Sequence, residues 1–139
     1  MDANELLRRY ATGERDFKGA NLIGTSLSGM NLSGANLREA SLSEANLSKT
    51  DLVGTNLIEA SLSMANLSEA NLSEANLDGA NISGANLRGA NLSGANLKMV
   101  DFTQADLREA DLQGANLWGA SLAAAKLQNT IMPDGTTHD

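Results

Sequence analysis

The chain has 139 residues, a net charge of −7 and ten basic residues. That length holds one domain and is short for two. Direct nucleic-acid binding is disfavoured, because phosphate contacts need clustered Lys and Arg. The absence of cysteine excludes disulfides and thiol chemistry, and aromatics at 3% leave few large rings for a core.

Residues 1–14 read as an N-terminal helical cap. Asp2 or Asn4 can cap a short helix through Glu5-Leu6-Leu7-Arg8-Arg9-Tyr10. Leu6, Leu7 and Tyr10 are expected to cover the first repeat beside Phe17. The segment mixes charges of both signs and lacks the apolar core of a targeting sequence. No apolar run is long enough to span a bilayer, so a cytoplasmic protein without a membrane partner is expected.

From Arg15 onward a period of five dominates. The centres run Phe17, Leu22, Leu27, Leu32 and so on without a slip to Leu127. They comprise 23 positions: twenty Leu, two Phe and one Ile. Two residues before each centre stands a small or apolar residue, usually Ala, with Thr25, Thr50 and Thr55 among the exceptions. One residue before stands Asn, Asp or Ser, apart from Lys126. Two residues after the centre fall eleven of the 13 glycines.

A helix needs apolar residues near a period of 3.6, and a strand needs a period of two. Five fits neither as a continuous element. It predicts short extended pieces joined by regular corners, with the centre and the residue two before it pointing inward. The Gly-rich position belongs at the corner, where positive φ suits glycine. One repeat cannot bury its Leu alone, so the repeats must stack into columns. The solenoid is expected over 15–130. Residues 131–139 form a short C-terminal tail: Ile131 and Met132 continue the apolar spacing until Pro133 stops it, Asp134-Gly135 reads as a turn, and the residues beyond are expected to be mobile.

The A(N/D/S)LXX pattern resembles the pentapeptide-repeat family. Ala35-Asn36-Leu37-Arg38-Glu39, Ala75-Asn76-Leu77-Asp78-Gly79 and Ala105-Asp106-Leu107-Arg108-Glu109 carry it. The resemblance implies an all-β fold: a right-handed quadrilateral β-helix with 20 residues per coil, hence about six coils, behind the short capping α-helix. At about 4.8 Å per coil the rod would be roughly 28 Å long. The flanks ELLRRYATGERDF and IMPDGTTHD also resemble the ends of cyanobacterial members, among them a regulator of heterocyst differentiation.

With the inward positions taken by packing, function is expected on the outward ones. Acidic residues concentrate between Glu39 and Asp78, and Glu39, Glu44, Glu59, Glu69 and Glu74 form a candidate surface for a basic partner. The 20-residue stacking places Glu39 beside Glu59 and Lys49 beside Glu69. Glycines at all four corners of the first and fourth coils would leave bare corners that a partner backbone can approach. Ile23, Val53, Ile58, Met64, Met99 and Trp118 are the outward apolar residues. Met99 and Trp118 stack together near the C-terminal end and join the candidate surface, since Trp is a favoured interface anchor.

Catalysis has little support. The Ser28-Ser48-Ser68 column has no base beside it, and no cofactor or metal site is expected: His138 with Asp134 and Asp139 is a poor ligand set on a short tail. The Ser column also runs into Arg88 and Arg108, which breaks the hydroxyl array that ice binding needs. The expected function is a non-enzymatic scaffold for protein–protein interaction, binding a protein partner and regulatory in a cyanobacterium, as a monomer or an end-to-end homodimer. The alternative is a DNA mimic that binds DNA gyrase, as some family members do. Duplex DNA carries one charge per about 1.7 Å, so a rod of this length would need about 16 negative charges against a net charge of −7.

Overall fold

The computed structural model describes residues 1–139. Its one regular element is α1, Ala3–Ala11. Asp2 caps it, with its side chain accepting the Glu5 N–H at 2.8 Å. Glu5 in the first turn and Arg8 and Arg9 in the last complement the helix dipole. Leu6 is fully buried, and Met1, Ala3 and Tyr10 pack against the same core. Leu7, expected on that face, is half-buried and outside the packed set. At 100° per residue, positions 3, 6 and 10 share one side and position 7 turns away from Leu6.

Beyond the helix, pairing runs through single residues. Parallel bridges join each residue before a centre to the one 20 later, as in Asp16↔Asn36, Asn36↔Asn56 and Asn56↔Asn76. Four such ladders start at Asp16, Asn21, Ser26 and Asn31. The expected all-β character therefore takes the form of isolated bridges, without extended strands. Five residues per side leave room for one bridging residue between two turns.

The backbone bonds explain the regularity. The centre N–H donates to the carbonyl 19 residues on, as in Leu67 to Asn86 at 2.7 Å. The bridging N–H donates back 21 residues, as in Asn86 to Ala65 at 3.0 Å. Each corner closes with an i+3 N–H to the centre carbonyl, such as Ala70 to Leu67 at 3.1 Å. Of 97 backbone hydrogen bonds, only five lie within the helix, so turns and interlayer bonds hold the fold.

Each corner has positive φ two residues after the centre, which with the closing bond makes a type II turn. Glycine fills many of these sites, but Glu39, Glu44, Lys49, Glu59, Met64, Glu69, Glu74, Met99, Gln104, Glu109, Ala124 and Asn129 also adopt φ of 56–64°. The glutamates singled out from the sequence thus sit in the left-handed region, which costs a residue with a Cβ roughly 1–2 kcal/mol. Long side chains are retained there at a cost in local backbone energy.

The inward columns of Leu and Ala form one core of 36 residues, and Phe17 and Phe102 occupy Leu positions within it. Thr50 and Thr55 enter Ala positions because each hydroxyl donates to the turn carbonyl three residues back, Leu47 at 2.5 Å and Leu52 at 2.8 Å. No buried side-chain polar atom lacks a partner.

The two ends differ. At the N-terminal end, α1 covers the first layer, and Leu22, Leu27 and Leu32 are fully buried. Tyr10 Oη donates to Ser33 O at 2.8 Å, and Arg9 stands over the Phe17 ring, 5.3 Å from its centroid. At the C-terminal end, Leu117, Leu122 and Leu127 are only half-buried. The N–H groups of Leu117, Gly119, Leu122, Ala124 and Leu127 make no backbone hydrogen bond. The tail is hydrogen-bonded back onto the last layer. Gly114 N–H reaches Pro133 O at 3.0 Å, so the register persists past Thr130. An antiparallel bridge then joins Ile131 to Thr137, and His138 N–H donates to Thr130 O at 2.8 Å.

Candidate partner-binding surface

The four ladders sort the outward residues into four sides. All eight Lys and Arg from Arg15 onward fall on the first and third sides, which alternate around each layer with the second and fourth. Arg15, Lys18, Arg38 and Lys98 lie on the first, and Lys49, Arg88, Arg108 and Lys126 on the third. The second and fourth sides carry carboxylates only, among them Glu44 and Asp101 on the second, and Asp51, Glu74 and Asp111 on the fourth.

The acidic belt is consequently a ring and not a face. Glu39 and Glu59 share the first corner, Glu44 takes the second, Glu69 the third and Glu74 the fourth. One flat partner surface cannot meet all five. Glu69 is moreover paired with Lys49, 3.8 Å away, between two well-exposed side chains. Arg38 lies 3.4 Å from Glu39. Such exposed pairs contribute little to stability.

Four of the seven candidates do come together. Glu39, Glu59 and Met99 stand in one corner column, and Trp118 lies beside it in the last layer. Met99 N–H donates to Trp118 O at 2.9 Å, Glu39 N–H to Ile58 O at 2.9 Å, and Glu59 N–H to Asp78 O at 2.9 Å. Trp118 is 72% exposed and Met99 54%. Ile58 is half-buried in the adjoining column that holds Trp118, and Lys98 stacks directly before Trp118. The edge therefore sets three apolar anchors among charges of both signs. Ile58 and Lys98 join it only through the 20-residue register, which single repeats do not display. Of the other outward apolar residues, Ile23 and Met64 are exposed on the second side, whereas Val53 is half-buried.

The glycine corners do not match the expectation of two bare belts. Gly19, Gly24, Gly29 and Gly34 are open, with no atom near the place of a Cβ. Gly79, Gly84, Gly89 and Gly94 are roofed by the side chains of Glu59, Met64, Glu69 and Glu74 from the layer before. A long side chain at a corner leans toward the C-terminal end and takes the space that the next glycine leaves.

The serines are tied internally. Ser28 Oγ and Ser48 Oγ are 2.8 Å apart, and Ser68 Oγ donates to Asn66 Oδ1 at 2.7 Å. Asn and Asp before the centre act in turn formation: Oδ1 accepts the N–H two residues on, as in Asn86 to Arg88 at 3.0 Å. This use lowers the Asp101 carboxyl below its ordinary range, through the Thr103 hydroxyl first and its N–H second. The Asp106 carboxyl is lowered chiefly by the Arg108 guanidinium, which bonds both its oxygens at 2.9 and 2.7 Å.

Family models for pentapeptide repeats match residues 16–54, 35–73, 70–108 and 101–134. The chain belongs to the pentapeptide-repeat family. No match was found among curated proteins. Among solved structures, the pentapeptide-repeat protein Rfr23 from the cyanobacterium Cyanothece 51142 is 34% identical, with 93% of this chain and 97% of that one covered and a TM-score of 0.69. HetL from the cyanobacterium Nostoc sp. strain PCC 7120, described as involved in heterocyst differentiation regulation, is 28% identical, with coverage of 99% and 100% and a TM-score of 0.47. QnrB1, a plasmid-mediated fluoroquinolone resistance protein, is 20% identical over 83% of this chain and 66% of that one, with a TM-score of 0.39. This pentapeptide-repeat protein thus resembles several cyanobacterial members, and no helix in it is long and apolar enough to cross a membrane.

Proposed function

We propose that the chain is a non-enzymatic scaffold that binds a protein partner along the first-side edge. In this reading the rod is a right-handed, four-sided β-helix of about six coils, located in the cytoplasm. The observation that carries the proposal is the pair of adjoining columns, Glu39, Glu59 and Met99 at the corner with Ile58 and Trp118 beside it. Exposed Trp and Met beside a mixed-charge rim match the anatomy of a protein interface. A backbone fixed by bonds in every layer presents these groups at little ordering cost. The internally bonded Ser and Asn side chains support a structural use of these residues in place of a catalytic one. Likeness to Rfr23 supports a cyanobacterial source.

The test is capture from a cyanobacterial lysate with three baits of equal melting temperature: wild type, Glu39→Lys with Glu59→Lys, and Trp118→Ala. A protein held by wild type and lost by both variants supports the edge. A protein held equally by all three refutes it.

The gyrase-binding DNA mimic is the weaker reading. Cations interrupt the first and third sides, and the second side offers only Glu44 and Asp101 among its outward residues over six layers. Unchanged gyrase supercoiling at micromolar protein would dismiss it.

The open C-terminal end supports an end-to-end homodimer over a lone monomer. Half-buried Leu117, Leu122 and Leu127 and unpaired backbone donors lie together there.

A further inference from the structure

The third side carries a feature that the edge reading does not use. Short Ser48 and Ser68 stand in line before long Arg88, and the Glu69 side chain leans over the Gly89 corner to form one wall. The result is a shallow groove of ≈ 470 Å³ without a hydrophobic residue in its lining. It lies on the side of the rod away from Trp118.

Its chemistry is rich in donors. Asn66 Oδ1 is taken by the Ser68 N–H at 3.0 Å and the Ser68 hydroxyl at 2.7 Å. Asn86 Oδ1 is taken by the Arg88 N–H. Each carboxamide therefore keeps its Nδ2 amino group for the outside. Arg88 spends one amino group on Glu109 at 3.1 Å, which leaves most of its five donors free. Lys49 is held only loosely by Glu69. Arg108, one layer on, is committed to Asp106 through two bonds and contributes no free fork.

We propose that this groove binds an extended segment of a partner protein through one Asp or Glu carboxylate. That carboxylate sits on Arg88, flanked by the Nδ2 groups of Asn66 and Asn86, and a basic residue of the same segment faces Glu69. Charge selects this ligand. Lys49 and Arg88 are balanced by Glu69 and Glu109, so a phosphate dianion gains no net attraction. A segment bearing one acid and one base finds a partner for each charge. The planar guanidinium matches a carboxylate through two parallel bonds. The inference does not rest on the first-side edge, and either can fail alone.

The test uses the ¹⁵N-labelled full chain and the peptide acetyl-Gly-Lys-Gly-Glu-Gly-amide. The side-chain amide resonances of Asn66 and Asn86 and the Nε of Arg88 are followed. Saturable shifts with a midpoint of about a millimolar are expected, as one or two charge-assisted bonds supply. Arg88→Gln should weaken binding roughly tenfold, whereas Arg108→Gln should leave it unchanged. Lys49→Gln is a second, exposed variant, expected to weaken binding less. Absence of shifts up to about 20 mM would overturn the proposal. So would equal binding of the peptide with Glu replaced by Gln, or equal binding by Arg88→Gln. A stronger response to inorganic phosphate than to the peptide would reassign the groove to phosphoryl groups and also overturn it.

Discussion

Met99 is tied through its backbone to Trp118 and through its side chain to the next residue, Gly119. The Met99 N–H donates to the Trp118 carbonyl at 2.9 Å, and the Met99 thioether fills the space over the adjoining Gly119. Gly119 has a φ of 75°. Gly119→Ala is therefore expected to destabilise by about 1–2 kcal/mol through its backbone alone, and further through collision with Met99 Sδ. Adding Met99→Ala should remove the collision and leave the backbone cost. Thermal unfolding of the two variants measures the difference. Equal melting temperatures for both would show that Met99 does not roof Gly119.

The centres are the core. Leu67 is fully buried and flanked by equivalent leucines in the layers on either side. Leu67→Ala should cost about 2–5 kcal/mol in chemical unfolding. Thr50→Ala, in contrast, is expected to change stability by under about 1 kcal/mol. Ala stands at that position in most repeats, and the Leu47 carbonyl keeps its bond from the backbone N–H of residue 50. A large loss in Thr50→Ala would mean that the buried hydroxyl is required.

These core assignments were legible because a five-residue period admits one inward pair per repeat, and Leu with Ala fill it almost without exception. The family resemblance supplied the 20-residue register, which Asp16↔Asn36 and its successors bear out. The tail was not legible: Pro133 reads as a stop, yet its carbonyl accepts Gly114 N–H. A proline loses a donor, and this bond needs only an acceptor. The spread of the acidic belt over four corners has a related cause. Glu39, Glu44, Glu69 and Glu74 are near in sequence, but each side takes five residues, so near neighbours turn onto different corners. The groove at Arg88 is not legible in the sequence, because residues from Ser48 to Glu109 meet there and no single repeat displays it.

Corner glutamates should be locally unfavourable. Glu44 has a φ of 59°, and glycine adopts that conformation without a steric penalty. Relief of about 1–2 kcal/mol is partly offset by about 0.4–1 kcal/mol of greater unfolded-chain freedom. Glu44→Gly is thus expected to stabilise by roughly 0.5–1 kcal/mol, and β-branched Glu44→Val to destabilise. Denaturant midpoints rank the three proteins. The order Val above Glu above Gly would contradict the turn assignment.

Acid should weaken the fold through the carboxyls that close turns. Asp101, Asp106 and Asp134 all titrate below their ordinary range, held by Thr103, Arg108 and Thr136 respectively. A lowered folded-state value favours the native state above the unfolded value, near about 3.9. That contribution is lost as pH falls from there through the folded-state values. Stability should be flat from about pH 7 to 5 with respect to these groups and decline below about 4. Thr103→Val removes the hydroxyl that is the main cause at Asp101, so its acid decline should be shallower. Parallel pH–stability curves for the two proteins would rule out that role for Thr103.

Association should be end to end and closed. The N-terminal layer is sealed by α1, with Leu22, Leu27 and Leu32 fully buried, so it offers no matching surface to an open C-terminal end. A head-to-tail filament is thereby disfavoured, and a two-fold contact between two C-terminal ends is the self-complementary arrangement. Charge permits it, since Trp118 to Ala125 contains no ionised side chain. With its leucines already half-buried in the monomer, the end has limited apolar area left to cover, and the expected dissociation constant is micromolar or weaker. Sedimentation equilibrium should show a monomer–dimer exchange without higher species. Leu122→Glu should shift it to monomer, at a small cost in stability because Leu122 is only half-buried. A wild-type chain that stays monomeric at about 500 µM, or forms species beyond the dimer, would exclude the closed contact.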